Sequence, residues 1–169
     1  QAVNAEIVGL EKKVREKLEE QKQKDLFQKL GGNVSLAWPS SPSRGISAIF
    51  HDPDYPFRYL FEHPGIDIRA PQGTPVKAAS DGYVAQVRKP LIGKYSYVMI
   101  IHNEGISTVY GHLSKIIIEA DQYVAKGQVI GLSGATPGTP GAGRFTTGPH
   151  LHFEVRVNGI PVDPMGYLP

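Results

Sequence analysis

Cysteine is absent from the 169-residue sequence, which excludes disulfides and any metal site built from thiolates. A bound transition metal would therefore need imidazole and carboxylate ligands. The formal net charge is only +2, and no basic run is interleaved with aromatic residues, so nucleic acid is not an expected partner. No apolar run is long enough to span a membrane, since the longest, Tyr97–Ile101, has the length of a strand.

Glycine and proline, by contrast, are abundant. The 19 glycines and 14 prolines are spread across the chain after the first thirty residues, which favours short strands joined by turns over long helices. A chain of 169 residues suits one domain with an appendage. It begins at Gln1 without a signal peptide, so we expect a processed chain or an excerpt of a longer one.

Residues 1–31 differ from everything that follows. Apolar residues recur there at intervals of three and four among charged ones, namely Val3, Ile7, Leu10, Val14 and Leu18. This pattern predicts an amphipathic helix, which Gly31 and Gly32 would end. We expect the helix to pack on the domain or to be the stump of a longer coil. The alternative is a helix that binds a protein partner or dimerises.

The next segment, residues 32–62, is rich in proline, serine and aromatic residues and has little periodicity. Long irregular segments in compact domains are usually functional loops or linkers. Because this one leads directly into His63, it is predicted to be a loop-rich lead-in that forms one wall of a binding groove.

Residues 63–169 carry strand signals at short intervals. The predicted strands are residues 74–78, 82–87, 95–102, 106–112, 116–118, 128–132, 150–157 and 160–162. They are rich in β-branched and aromatic residues, so the fold class is mainly β, an antiparallel sandwich or barrel-like domain with an N-terminal helix. Asn158-Gly159 is the strongest hairpin signal, because a type I′ turn needs positive φ at both central residues.

Two short segments of this domain contain side chains suited to metal binding. His63 and Asp67 lie four residues apart, and His150 and His152 lie two apart. Both spacings are even, so each pair would project from one face of an extended strand. Catalytic zinc takes three nitrogen or oxygen ligands and keeps one position open, and four candidates exceed that need. The spacing alone leaves open which of His150 and His152 would bind.

Three segments together carry a family resemblance. Residues 63–67 (HPGID), 109–113 (VYGHL) and 147–154 (TGPHLHFE) resemble the motifs of the lysostaphin/LytM-type zinc metallopeptidases, and the resemblance extends over residues 63–164. It implies an antiparallel β domain with Zn²⁺ in a groove. The implied activity is endopeptidase cleavage of peptide bonds in bacterial peptidoglycan through a metal-activated water, and the implied location is extracytoplasmic.

The resemblance also implies a role for each residue. His63, Asp67 and His152 match the metal ligands of the family, whereas His112 and His150 match its non-ligating catalytic pair. Histidine titrates near neutrality and is therefore suited to moving protons or stabilising an oxyanion. Which of His112 and His150 does which is left open.

Three further residues admit two interpretations each, and His102 admits one. Glu154 shares the strand face of His152, so it either fixes a ligand imidazole or forms an ordinary salt bridge. Tyr110 either helps bind the transition state or simply packs in its strand. His51 and His102 are assigned structural roles, with His51 as an alternative groove-lining residue. Tyr59 lies shortly before His63, but its distance from His63 along the sequence gives no reason to assign it a catalytic role. Residues 135–146 are expected to reshape one rim of the groove.

Two other functions remain open. The first is a non-enzymatic regulator that activates another cell-wall hydrolase. The N-terminal helix motivates this hypothesis. The second is a carrier or phosphotransfer-type β domain, because residues 124–131 resemble the turns of biotinyl and lipoyl domains and paired histidines can carry phosphate. No modifiable lysine lies in an exposed hairpin motif, and Asp67 would have no task in such a domain.

Overall fold

The computed structural model describes residues 2–20 and 34–169, so residues 1 and 21–33, which include the predicted helix end at Gly31 and Gly32, lie outside the described residues. The elements are α1 (Ala2–Glu20), β1 (Ile46–Ala48), β2 (Ile66–Arg69), β3 (Pro75–Lys77), β4 (Gly82–Arg88), β5 (Tyr97–Ile101), β6 (Ile106–Gly111), β7 (Leu113–Ile116), β8 (Tyr123–Val124), β9 (Val129–Ser133), β10 (His150–Val157) and β11 (Ile160–Val162). Short 3-10 turns occupy Pro42–Arg44 and Pro164–Gly166. In the described part of the chain, no helix is long and apolar enough to cross a membrane.

Two antiparallel sheets form a sandwich, which confirms the predicted fold class. The large sheet has the order β1-β2-β10-β6-β5-β4-β8, with β11 paired to β10, and the small sheet has the order β3-β9-β7. Leu151 and Phe153 of β10 belong to the main core together with Val76 of β3 and Ile130 of β9. One face of the large sheet is therefore buried against the small sheet, which leaves the other face for the functional groups.

Strand register places the candidate residues on that second face. His152 lies directly opposite Asp67 of β2 on one side and Gly111 of β6 on the other, and Gly111 lies opposite Tyr97 of β5. Residues that oppose each other across antiparallel strands share a face, and alternate residues along β10 do so too. His150, His152, Glu154 and Arg156 therefore project together from the face opposite the main core.

The Asn158-Gly159 hairpin is confirmed. Asn158 has φ 50° and Gly159 has φ 84°, and Val157 pairs with Ile160 directly across the turn. The strand predicted at residues 116–118 is wrong, because β7 runs from Leu113 to Ile116. Ile117 follows this strand and is 54% exposed, although its amide still donates a hydrogen bond to the carbonyl oxygen of Ile130 in β9 (3.0 Å). The lead-in is also less irregular than predicted, since it contains β1.

Helix α1 covers part of the same face that carries the candidate site. Ile7 is fully buried in a second apolar cluster with Tyr97, Met99 and Val109, and Val3 and Val14 flank this contact. Burying one isoleucine stabilises the folded state by about 1.5–3 kcal/mol. Glu6 also forms an ion pair with Arg88 of β4. The helix thus packs on the face of the large sheet opposite the main core, next to the site.

His102 gives the fold a pH dependence that is independent of the candidate site. Burial lowers its pKa from 6.5 to about 4, although a hydrogen bond to the carbonyl of Asp81 opposes the shift. The unfolded chain takes up this proton near pH 6.5 and the folded chain only near pH 4. The contribution of neutral His102 to the free energy of unfolding is therefore fully present above pH 6.5 and is lost as the pH falls through 4.

We expect this loss to amount to about 3 kcal/mol of unfolding free energy. Urea unfolding between pH 7 and pH 4, with a metal chelator present, measures it. Replacing His102 by Asn should reduce the pH dependence by that amount, and a variant whose pH dependence equals that of the parent would contradict the assignment.

Candidate active site

Three side chains that can bind metal converge on one point of the sheet face. The Nε2 atom of His63 lies 3.1 Å from Oδ1 of Asp67, and Nδ1 of His152 lies 2.9 Å from the same oxygen. All three residues are buried, and their ligand atoms lie within 4.8 Å of one another. Asp67 and His152 face each other on β2 and β10. His63 does not lie on a strand as the even spacing predicted, because β2 begins only at Ile66.

The hydrogen bonds at the far sides of the two imidazoles show what the cluster can hold. Nδ1–H of His63 donates to the carbonyl oxygen of Ile49 (2.9 Å), and Nε2–H of His152 donates to Oε2 of Glu154 (2.8 Å). These partners assign the protons. When the two rings are neutral, Nε2 of His63 and Nδ1 of His152 direct their lone pairs at Oδ1 of Asp67. Lone pairs facing one another repel unless a cation lies between them, so the donor set fits a metal ion.

The pKa values of the cluster agree with a site for positive charge. Burial disfavours the charged form of Asp67, but hydrogen bonds with His152 and His63 hold the pKa of this carboxyl well below its ordinary value. Burial likewise opposes charge on His152, yet hydrogen bonds to Asp67 and Glu154 raise its pKa to about 10. Without a metal, His152 therefore keeps a second proton at neutral pH, and a metal ion would displace that proton.

His112 and His150 stand beside this cluster without joining it. Nδ1–H of His112 donates to the carbonyl of Ala142 (2.8 Å), and Nδ1–H of His150 donates to that of Gly148 (2.7 Å). The two ring centroids are 4.9 Å apart. Burial, aided by the charge of His150 and His152, lowers the pKa of His112 to about 3. Burial also lowers the pKa of His150.

Both rings are consequently neutral near pH 7, with Nε2 unprotonated. Nε2 of His150 is buried without a hydrogen-bond partner and lies 3.5 Å from Oδ1 of Asp67. His112 adopts a left-handed backbone conformation with φ 60° between β6 and β7. Such a conformation is uncommon for a residue other than glycine and concentrates at functional sites.

Glu154 contacts His152 directly, in agreement with the first of its two interpretations. Its Oε2 accepts the His152 hydrogen bond, while its Oε1 accepts hydrogen bonds from Nε and Nη2 of Arg156 at 2.9 and 2.6 Å. Burial opposes ionisation, but the hydrogen bonds from His152 and Arg156 lower the pKa of Glu154. The carboxylate is therefore ionised and fixes the orientation of the imidazole.

Aromatic residues that the sequence did not single out surround the cluster. Tyr55 stacks on His63 with ring centroids 4.3 Å apart, and Tyr95 meets His112 edge-on at 4.9 Å. Phe145, from residues 135–146, packs edge-on against Phe57 and Phe61 of the lead-in, with ring centroids 5.2 Å apart in each pair. The lead-in and residues 135–146 therefore meet through these rings, next to His63.

These residues enclose a cavity of about 540 Å³ lined by Tyr55, Phe61, Tyr95, His112, Phe145 and His152 among others. Its size is that of a pocket for a small ligand or a short peptide segment. Tyr59, the tyrosine nearest to His63 in sequence, is instead 84% exposed and does not line the cavity. Stacking on His63 identifies Tyr55 as the aromatic neighbour of the site.

The remaining histidines and Tyr110 are placed as follows. His51 lines the cavity, and its Nε2 lies 3.3 Å from Oε2 of Glu62, so its groove-lining alternative agrees with the structure. His102 is buried and hydrogen-bonded away from the site. Tyr110 is fully buried in the main core, where its hydroxyl accepts a hydrogen bond from the amide of Ala79, so it packs in its strand.

Comparison with known proteins identifies relatives of this arrangement. Residues 61–164 match the model of peptidase family M23. Peptidoglycan DD-endopeptidase ShyB of Vibrio cholerae is 48% identical over 104 residues, which are 61% of this chain and 22% of that protein. The chain thus spans about a fifth of the length of this curated relative.

Solved structures resemble the chain more extensively. A zinc-containing peptidase from Vibrio cholerae superposes with a TM-score of 0.64 at 40% identity, covering 78% of this chain and 40% of the other. The antimicrobial peptidase lysostaphin from Staphylococcus simulans superposes with a TM-score of 0.58 at 33% identity, covering 72% and 48%. The resemblance to lysostaphin/LytM-type peptidases is confirmed, and the chain belongs to peptidase family M23.

Proposed function

We propose that the chain is a zinc-dependent endopeptidase that hydrolyses peptide bonds of bacterial peptidoglycan. The observation that carries the proposal is the convergence of His63 Nε2, His152 Nδ1 and an Asp67 oxygen, with the outer nitrogens of both imidazoles already hydrogen-bonded. Family membership and the names of the relatives support the same reaction.

The donor set favours zinc among the common divalent ions. Two imidazoles and one carboxylate suit Zn²⁺ better than Mg²⁺ or Ca²⁺, which prefer oxygen ligands alone. The group found among the described residues has three members, as in catalytic zinc sites, which keep the fourth position for water or substrate. Zinc bound there would lower the pKa of a water molecule to about 7 and polarise the substrate carbonyl.

The chain's own residues supply proton transfer and orientation. Hydrogen bonds to backbone carbonyl oxygens hold the rings of His112 and His150, and both rings are neutral with Nε2 unprotonated. Either ring can take the proton from the attacking water, donate a hydrogen bond to the oxyanion through the resulting Nε2–H, and then deliver that proton to the leaving amine. Glu154 holds His152, and the stacked Tyr55 restricts the ring of His63.

The substrate assignment rests on the relatives and on the cavity. ShyB is named as a peptidoglycan endopeptidase, and the cavity, which four aromatic side chains help to line, has a size that suits a short peptide segment. Peptidoglycan as substrate would place the protein outside the cytoplasmic membrane.

Neither alternative function has comparable support. A non-enzymatic regulator has no need for a complete ligand set with two anchored histidines beside it, and all five residues are present here. A phosphotransfer domain gives no role to Asp67, which lies at the centre of the cluster.

Metal removal tests the proposal. Purified protein dialysed against a chelator should release no fragments from isolated peptidoglycan, and one equivalent of Zn²⁺ should restore cleavage. Mass spectrometry of the products identifies the bond that is cut. Zinc-loaded protein that leaves peptidoglycan intact, or chelated protein that cleaves it at an unchanged rate, would refute the assignment.

A further inference from the structure

Arg144 is the one arginine of the cavity wall that forms no ion pair in the described part of the chain. The other arginine that lines the cavity, Arg156, is buried and donates hydrogen bonds to Glu154 through Nε and Nη2. The side chain of Arg144 is exposed, and among the described residues neither a hydrogen bond nor an ion pair joins it to a partner. Its positive charge is therefore available to a ligand in the cavity.

The backbone on both sides of Arg144 is fixed by contacts with other segments. Ala142 forms a β-bridge with Tyr95, and a Cβ atom placed on Gly143 would lie 3.2 Å from the Cβ atom of Tyr95. On the other side, Phe145 packs edge-on against two aromatic rings of the lead-in. The long side chain of Arg144 therefore extends from a backbone position that packing determines.

This position is close to one of the residues proposed for proton transfer. The carbonyl oxygen of Ala142, two residues before Arg144, accepts the hydrogen bond from Nδ1–H of His112 (2.8 Å). Two residues of fully extended chain span at most about 7 Å, and the side chains of His112 and His152 line the same cavity as Arg144. A ligand that meets the guanidinium in the cavity therefore lies beside the peptide bond that the proposed reaction would cut.

The chemistry of the guanidinium points to a carboxylate as its ligand. Arginine presents a planar fork of N–H donors that matches the two oxygens of a carboxylate, and it stays charged at neutral pH. The cavity wall has two carboxylates of its own. Glu154 accepts hydrogen bonds from Arg156, and Oε2 of Glu62 lies 3.3 Å from Nε2 of His51. Neither carboxylate contacts Arg144, so a carboxylate that binds there comes from the ligand.

We propose that Arg144 is a specificity-determining residue that binds a free carboxylate of the peptide substrate next to the bond that is cut. The proposal rests on the proposed function, since it takes a peptide of peptidoglycan as the substrate. Contact between the guanidinium and a carboxylate adds charge-assisted hydrogen bonds, which an uncharged amide in the same place does not supply. The chain therefore prefers peptides that keep this carboxylate free over the same peptides after amidation.

Matched substrates test the proposal, namely a defined peptidoglycan fragment and the same fragment with its free carboxylates converted to primary amides. We expect kcat/KM of the parent to be about 5–20-fold higher for the free acid, because an exposed arginine contributes less than a buried one. Arg144→Gln should lower kcat/KM for the free acid to the value for the amidated fragment, which itself should stay within about twofold of the parent. Arg144→Lys keeps the charge but loses the planar fork, so its preference should be intermediate.

Arg44→Gln is the matched control, because Arg44 is an exposed arginine that does not line the cavity and the substitution changes the net charge equally. It should retain the parental preference for the free acid. An equal loss of preference in Arg44→Gln would assign the effect to long-range attraction by the net charge and overturn the proposal. A parent without a preference for the free acid, or an Arg144→Gln variant that cuts both fragments more slowly by the same factor, would also overturn it.

Failure of the proposed function gives a different result. A parent that cuts neither fragment would refute that function, and the binding of the two fragments, measured by calorimetry, would then decide on Arg144. Tighter binding of the free acid that Arg144→Gln removes would support the carboxylate site, whereas equal Kd values for the two fragments would overturn it.

Discussion

Replacing Asp67 by Asn is expected to reduce zinc affinity by more than the ~100-fold that loss of an outer-shell partner costs, and to abolish peptidoglycan cleavage. Asp67 supplies the only negative charge among the three proposed ligands, and its Oδ1 lies within 3.5 Å of ring nitrogens of His63, His150 and His152. The neutral amide would leave the cluster without charge compensation for the metal. Chelator competition gives the affinity, and fragment release gives the activity.

Asp163→Asn is the control for this substitution. Asp163 is exposed, and its carboxylate accepts a hydrogen bond from the amide of Met165, a role that Asn also fulfils. The control should bind zinc and cleave like the parent. If Asp67→Asn retains parental zinc affinity, Asp67 is not a ligand and the proposed metal centre is wrong.

Replacing His112 by Ala is expected to lower kcat by about 10²–10⁴-fold, the usual contribution of general acid–base catalysis. Zinc affinity should remain within about twofold of the parent, because His112 is not one of the three converging residues. Burial lowers its pKa to about 3, so the ring is neutral at neutral pH and its Nε2 carries the lone pair that proton transfer requires. Steady-state rates on a defined peptidoglycan fragment and zinc affinity are measured on the same preparation.

His51→Ala is the matched control, because His51 lines the same cavity but its side chain is half-exposed and stacks on Phe50, away from the three converging residues. We expect its kcat to change much less than that of His112→Ala. Loss of zinc from His112→Ala would make His112 a ligand instead. Unchanged cleavage would remove its proton-transfer role, and unchanged cellular function with no cleavage by either protein would favour the regulator.

The sequence predicted those parts of the site that depend on spacing along one strand. His150 and His152 share a face of β10 because alternate residues of a strand do so, and Asn158-Gly159 ended that strand as predicted. The sequence alone did not distinguish His150 from His152 as a ligand. The resemblance made that assignment, which stays a proposal, and the structure adds that His152 lies directly opposite Asp67.

Features that depend on contacts between distant segments were not predictable in this way. Tyr55 and Tyr95 reach the site through loops whose course no local pattern determines, and Arg156 looked like an ordinary strand residue. The error at residues 116–118 has a similar origin. Three successive isoleucines predicted a strand, but the left-handed His112 redirects the chain so that pairing begins at Leu113. Likewise, the period of α1 predicted an apolar face but not the buried carboxylate of Glu11 on it.

The most direct measurement is a crystal structure of the zinc-loaded protein with anomalous diffraction recorded at the zinc edge. We expect one strong peak bound by Nε2 of His63, Nδ1 of His152 and a carboxylate oxygen of Asp67, with solvent in the remaining position. A peak ligated by His150 in place of His152, or a fourth ligand supplied by the protein itself, would contradict this expectation.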